Sequence, residues 1–156
     1  MAKIETRELT VSQVYNIVSF YAEEIKAQKD GKDSILNHFS NLLNWKLKRN
    51  IDILQPTAQS FEEFRIKIRD RFLAEWSTPE KTYIDGDSRK IKDEYMDEFR
   101  VAQSEANAKI AEVLGDKANY EINVLDIESE IENIINEVAN ADVGKIDLLM
   151  FMNSND

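Results

Sequence analysis

The side chains that most often carry chemistry at neutral pH are scarce in this sequence. His38 is the only histidine and there is no cysteine, so the chain offers neither a thiol nucleophile nor a His/Cys set at metal-ligand spacing. His38 also lies one residue before an apolar stripe, where a histidine borders or caps a helix more often than it moves a proton. The four glycines, Gly31, Gly86, Gly115 and Gly144, are too far apart for a phosphate-cradling loop, which needs adjacent backbone amides and a following lysine. Asp85-Gly86-Asp87-Ser88 shares letters with a calcium loop but lacks its alternating ligands and closing glutamate. It reads as a turn.

Carboxylates are the one abundant reactive group. Glu128, Glu130 and Glu132, with Asp126 and Glu137, place two carboxylates on one helical face, since Glu128 and Glu132 are four apart. A di-metal site of that kind also needs Glu-x-x-His pairs, and none is present. The cluster therefore predicts a solvated face, with acid near a helix start favoured by the macrodipole. No catalytic residue, metal or cofactor is expected, and the chain reads as a non-enzyme.

Lys46, Lys48 and Arg49, then Arg65, Lys67, Arg69 and Arg71, interleave with Trp45, Phe61, Phe64 and Phe72, a mixture that can signal nucleic-acid binding. Against it, 20 basic and 30 acidic residues leave a net charge of −10, which repels phosphate and anionic lipid alike. The basic groups are expected to solvate their helix or to pair with acidic helices later in the chain. Residues 1–76 hold 12 basic and 11 acidic side chains, whereas 77–156 hold 8 and 19, so the acidity belongs to the second half. The longest apolar stretches are short and broken by charge, and Met1 to Glu8 lacks the apolar core of an export signal. A soluble cytoplasmic protein, without membrane contact or direct nucleic-acid binding, is the expectation.

Helices must position whatever the chain presents, because only 4 glycines and 2 prolines punctuate 156 residues. Thr10 to Gln13 forms a capping-box pattern, followed by a stripe of Val11, Val14, Tyr15, Val18, Tyr21 and Ile25. Lys3 to Thr6 can form a short edge strand before it. Ser34 is expected to cap a second helix whose stripe runs Leu36, Phe39, Leu43, Leu47, Ile51, Leu54, Ala58, Phe61, Phe64, Ile68, Phe72 and Trp76. Pro56 falls inside that stripe without shifting its phase, which predicts one bent helix or two collinear ones. Asp85-Gly86 between apolar residues predicts a hairpin or loop. From Asp93 the stripe Met96, Phe99, Ala102, Ala106, Ile110 and Val113 forms a third helix long enough to fold back on the second, with Gly115 as a left-handed cap. Tyr120, Ile122 and Val124 alternate like a half-buried strand, and Asp126 opens a helix through Ile127, Ile131, Ile134, Ile135 and Val138. The run Ile146 to Met152 is expected to dock on the core, as helix or strand. The fold class is mainly α, α+β at most: a long kinked helical hairpin with packed short helices and a small antiparallel sheet, in one domain over 1–156.

The segment Asn44-Trp45-Lys46-Leu47-Lys48-Arg49-Asn50-Ile51-Asp52-Ile53-Leu54 with Pro56, the charged helix ending near Trp76, and the closing Ile146 to Met152 together resemble small phage and prophage proteins of Gram-positive bacteria. That family has no assigned activity, so the resemblance implies a phage-encoded helical protein and no catalytic residues.

Two functions follow as expectations. The first is a protein-binding accessory or virion-assembly protein, with Trp45, Trp76 and Tyr83 as contact candidates because large aromatics dominate interface energy. The second is an anti-defence inhibitor whose Asp93, Glu94, Asp97, Glu98, Glu105, Glu128, Glu130 and Glu132 stand in for phosphates against a host nuclease or restriction enzyme. The partner is a virion component or a host defence enzyme; an enzyme resting on the unpatterned carboxylates ranks third and last, and homodimerisation through the long helix is a further prospect.

Overall fold

The computed structural model describes residues 3–137 and 143–155. In chain order these form β1 (Ile4–Thr10), α1 (Val11–Lys29), α2 (Asn41–Trp76), β2 (Thr82–Asp85), β3 (Ser88–Ile91), α3 (Met96–Leu114), β4 (Lys117–Asn123), α4 (Ile127–Glu137) and α5 (Val143–Asp147), with 3-10 turns at Ile35–His38, Asp93–Tyr95 and Leu148–Met152. The fold is mainly helical, with two two-stranded sheets among the described residues, β1 with β4 and β2 with β3. The chain divides into two compact units, Met1–Ala58 with Lys117–Asp156, and Gln59–Asp116. No linker marks the first boundary, which falls inside α2, and that helix runs unbroken through Pro56.

The first unit is built on the antiparallel β1–β4 ribbon, in register from Ile4↔Asn123 to Thr10↔Lys117. Thr10 ends β1 and starts α1 through the expected capping box: its Oγ1 accepts from Gln13 N–H at 3.1 Å, and its own N–H donates to Gln13 Oε1 at 2.8 Å. α1 stops in a Schellman arrangement, with Gly31 at φ +71° and N–H groups of Gly31 and Lys32 reaching Gln28 O and Ala27 O. Ser34 caps the 3-10 turn instead of the long helix, because the extended backbone at Phe39 separates the two. Ser40 takes the expected role, its Oγ accepting from Leu43 N–H at 3.1 Å.

Leu43, Leu47, Ile51 and Leu54 of α2 are buried against Val14, Ile17 and Phe20 of α1, Ile122 of β4, and Ile127 and Ile134 of α4 in one apolar cluster. The closing run is helical, and Leu149 and Met152 dock in that cluster. Arg7 holds it to β1 by donating to Phe151 O at 3.3 Å and Asn153 O at 2.6 Å. Val138 lies outside the described residues.

The second unit is a helical hairpin. Phe72 of α2 meets Phe99 of α3 at 5.4 Å between ring centroids, while Ile68 and Arg65 share a groove with Ala106 and Ile110, so the helices run antiparallel. The β2–β3 turn has positive φ at Gly86 only, with Asp85 pairing Ser88. That is the pattern of a type II′ turn, with glycine at the first central position. Gly115 is right-handed at φ −85°, not the expected left-handed cap, because α3 tightens into a last turn that leads directly into β4.

Candidate protein-docking face

α2 is amphipathic over its first half in an uneven way. Its inner side buries Leu43, Leu47, Ile51 and Leu54, and the outer side still carries Leu42, Trp45 and Ile53, which are 51%, 63% and 40% exposed. With Arg49 they fall at i, i+3, i+7 and i+11, the spacing that aligns side chains along one helical face. The Arg49 guanidinium lies over the Trp45 ring, its Cζ 5.6 Å from the centroid, an arrangement that holds both side chains upright at little cost. Lys48 turns aside to Asp52, 2.6 Å away, and this hydrogen bond pushes its pKa up. The face is thus an indole and two aliphatic side chains with one cation stacked among them.

This face is mounted on a rigid support. The Lys46 amine, 8% exposed, donates to Val124 O at 2.7 Å. Asn50 Nδ2 donates to Asn123 O at 2.9 Å and Asn50 Oδ1 accepts from Asn123 N–H at 2.8 Å. Thr57 and Tyr120 hydroxyls meet at 3.0 Å. Three polar contacts one to two turns apart therefore lock α2 to β4 and the residue after it.

The other sequence candidates are placed differently. Trp76 is 4% exposed and packs edge-on to Phe99 at 5.5 Å, with the Lys81 amine 4.4 Å from its ring. It is the packing centre of the hairpin unit, not a surface contact, since the apolar stripe of α2 carries it inward. Tyr83 is 45% exposed on β2, beside Ile84. Asp93, Glu94, Asp97, Glu98 and Glu105 are exposed in the hairpin unit, whereas Glu128 and Glu132 are exposed and Glu130 half-buried in the other. Among the described residues, Lys48 pairs with Asp52, Arg65 with Glu62 and Arg69 with Asp70, each a partner on its own helix. The first two pairs are four and three residues apart, a spacing that brings side chains together on one helical face.

Sequence reasoning missed Glu24, Lys46 and Asn50 as structural groups. Glu24 is buried, accepts from Ile35 N–H at 3.0 Å and faces the Lys145 amine at 3.3 Å. Its position four residues after Phe20 and three after Tyr21, inside the buried arc of α1, was the available signal. Among the described residues no group of three or more His, Cys, Asp or Glu could hold a metal ion, and no helix is long and apolar enough to cross a membrane.

No known protein family, no curated protein and no solved structure matches this chain.

Proposed function

We propose that this is a non-catalytic protein-binding protein, of the phage accessory or virion-assembly kind, and that α2 is its ligand helix. The observation that carries the reading is the exposed Leu42, Trp45, Arg49 and Ile53 face. Anchors at such spacing are how an amphipathic helix enters another protein's hydrophobic groove, and tryptophan and arginine are the residues most enriched at energetic centres of interfaces. Arg49 further calls for a carboxylate at the rim of that groove, because its charge loses water when Trp45 inserts. The partner is accordingly a protein with an apolar cleft and an acidic edge. The phage setting draws on the resemblance of the Asn44 to Leu54 segment.

Photo-crosslinking residues placed at 42 and at 53 test this in a Gram-positive host. Both positions are expected to trap the same protein, and a residue at 105, in the other unit, is expected not to. Different adducts from 42 and 53, or none from either, would count against the reading.

The acidic-mimic reading draws on the exposed Glu98 and Glu105 of α3. It requires a contact that fails as salt rises over a few-fold range, because many screened charges carry it. A Trp45-centred contact keeps most of its strength there.

A further inference from the structure

The hairpin unit carries two surfaces of opposite character. Between α2 and α3 lies a groove of about 240 Å³, with Ile68, Phe72, Ala106 and Ile110 as floor and Arg65 and Arg69 on its α2 side. Arg65 also holds Glu62, and the Arg69 side chain is 55% exposed beside Asp70. No residue of α3 is fully buried, so two helices alone leave this core open, and the space between antiparallel helices is shaped for a third.

The other surface is the back of α3. Glu98, Glu105 and Glu112 recur at seven residues, as do Val101 and Ala108, and all five are exposed. A seven-residue repeat of small apolar positions flanked by charge is the seam of a helix that lies along other helices. Val101 and Ala108 do not serve the hairpin itself. Ala108 is two residues from both Ala106 and Ile110, about 200° round the helix from each, which puts the stripe on the side away from the groove.

We infer that the back of α3 in one copy docks into the groove of a second copy. Val101 and Ala108 cover the apolar floor and Glu105, between them in sequence, meets Arg65 and Arg69. Head-to-tail docking fits better than a closed, face-to-face pair of grooves, which would bring two arginine-edged grooves together without an acidic counterpart. The two surfaces belong to different sides of the same unit, so the contact is head-to-tail and extends beyond two copies. A single helix in a groove lies at the small end of stable interfaces, so the association is weak.

Sedimentation of the purified full chain tests this from roughly 10 to 500 µM, high enough to populate a weak contact, at about 50 mM and about 500 mM salt, on either side of strong screening. Species larger than a dimer are expected to grow with concentration at low salt and to revert to monomer at high salt. R69E and E105R are each expected to weaken association by at least about tenfold. An equimolar mixture of the two is expected to restore it, because the carboxylate introduced into the groove of one variant then faces the guanidinium introduced on α3 of the other. W45A is expected to leave self-association unchanged. Monomer throughout, a closed dimer as the end point, oligomers indifferent to salt, loss of oligomers in W45A, or a mixture no better than either variant alone would each overturn the inference.

Discussion

Asn50 meets Asn123 as one strand meets another: the side-chain carboxamide donates to the Asn123 carbonyl at 2.9 Å and accepts from the Asn123 N–H at 2.8 Å. The end of β4, whose other edge pairs with β1, thus finds on α2 the pairing that a third strand would give. Both backbone polar groups of Asn123, its N–H and its carbonyl, are satisfied in a buried setting, where an orphaned donor or acceptor is expensive. The same contact fixes the helix that displays Trp45.

Asn50→Ala is expected to cost roughly 2–4 kcal/mol, because it leaves a buried N–H and a buried carbonyl without partners. Urea denaturation measures it. Asn50→Asp keeps the acceptor and loses the donor, and is expected to sit between alanine and wild type only at a pH low enough to protonate the new carboxyl.

On the outer side of the same helix, Trp45→Ala is expected to change stability by less than about 0.5–1 kcal/mol, since an exposed side chain has little packing to lose. Leu43→Ala, two residues earlier on the buried side, is expected to cost about 2–5 kcal/mol. Equal costs for the two would mean that Trp45 is not a free face.

How far this was legible from the sequence depended on whether the deciding interaction was local. The Thr10 to Gln13 capping box, the Gly86 turn and the unbroken phase of the stripe across Pro56 are short-range, and each could be read directly. Ser34 and Ser40 are both competent caps, and the choice between them turned on the extended backbone of Phe39. Lys46 and Asn50 look like surface residues because their partners, Val124 and Asn123, are more than 70 residues away. Trp45 and Trp76 are alike as letters. Position on the stripe separates them: Trp76 continues the inner series from Phe72, and Trp45 falls between Leu43 and Leu47 on the opposite side.

Asp126 opens α4 by accepting from the Ser129 hydroxyl at 2.8 Å and the Ser129 N–H at 3.2 Å. Those two bonds hold its carboxyl below the usual range. A carboxylate whose pKa is lowered on folding adds stability that is complete above its unfolded pKa and is lost as pH falls through the lower folded value. The capping contribution of Asp126 is therefore expected to disappear in the acid range, below the ordinary titration of aspartate. Carboxyl NMR titration should show the depressed value, and Ser129→Ala should move it back up.

Glu24 ties α1 to two later segments through the Ile35 N–H and the Lys145 amine. Glu24→Gln keeps an acceptor for Ile35 and removes the charge opposite Lys145, so it is expected to cost about 1 kcal/mol. Glu24→Ala is expected to cost roughly 2–3 kcal/mol by stranding the buried N–H. Thermal denaturation of the pair distinguishes the hydrogen bond from the ion pair.

Entry of α2 into a partner through Trp45 is the central claim. Affinity purification of the tagged chain from a Gram-positive host, washed at low and at high salt and compared with Trp45→Ala and Leu42→Asp, tests it most directly. One protein is expected to be retained by wild type through the high-salt wash and lost with both substitutions, each still folded. Recovery of the same protein by wild type and both variants, or a partner released by salt alone, would contradict it.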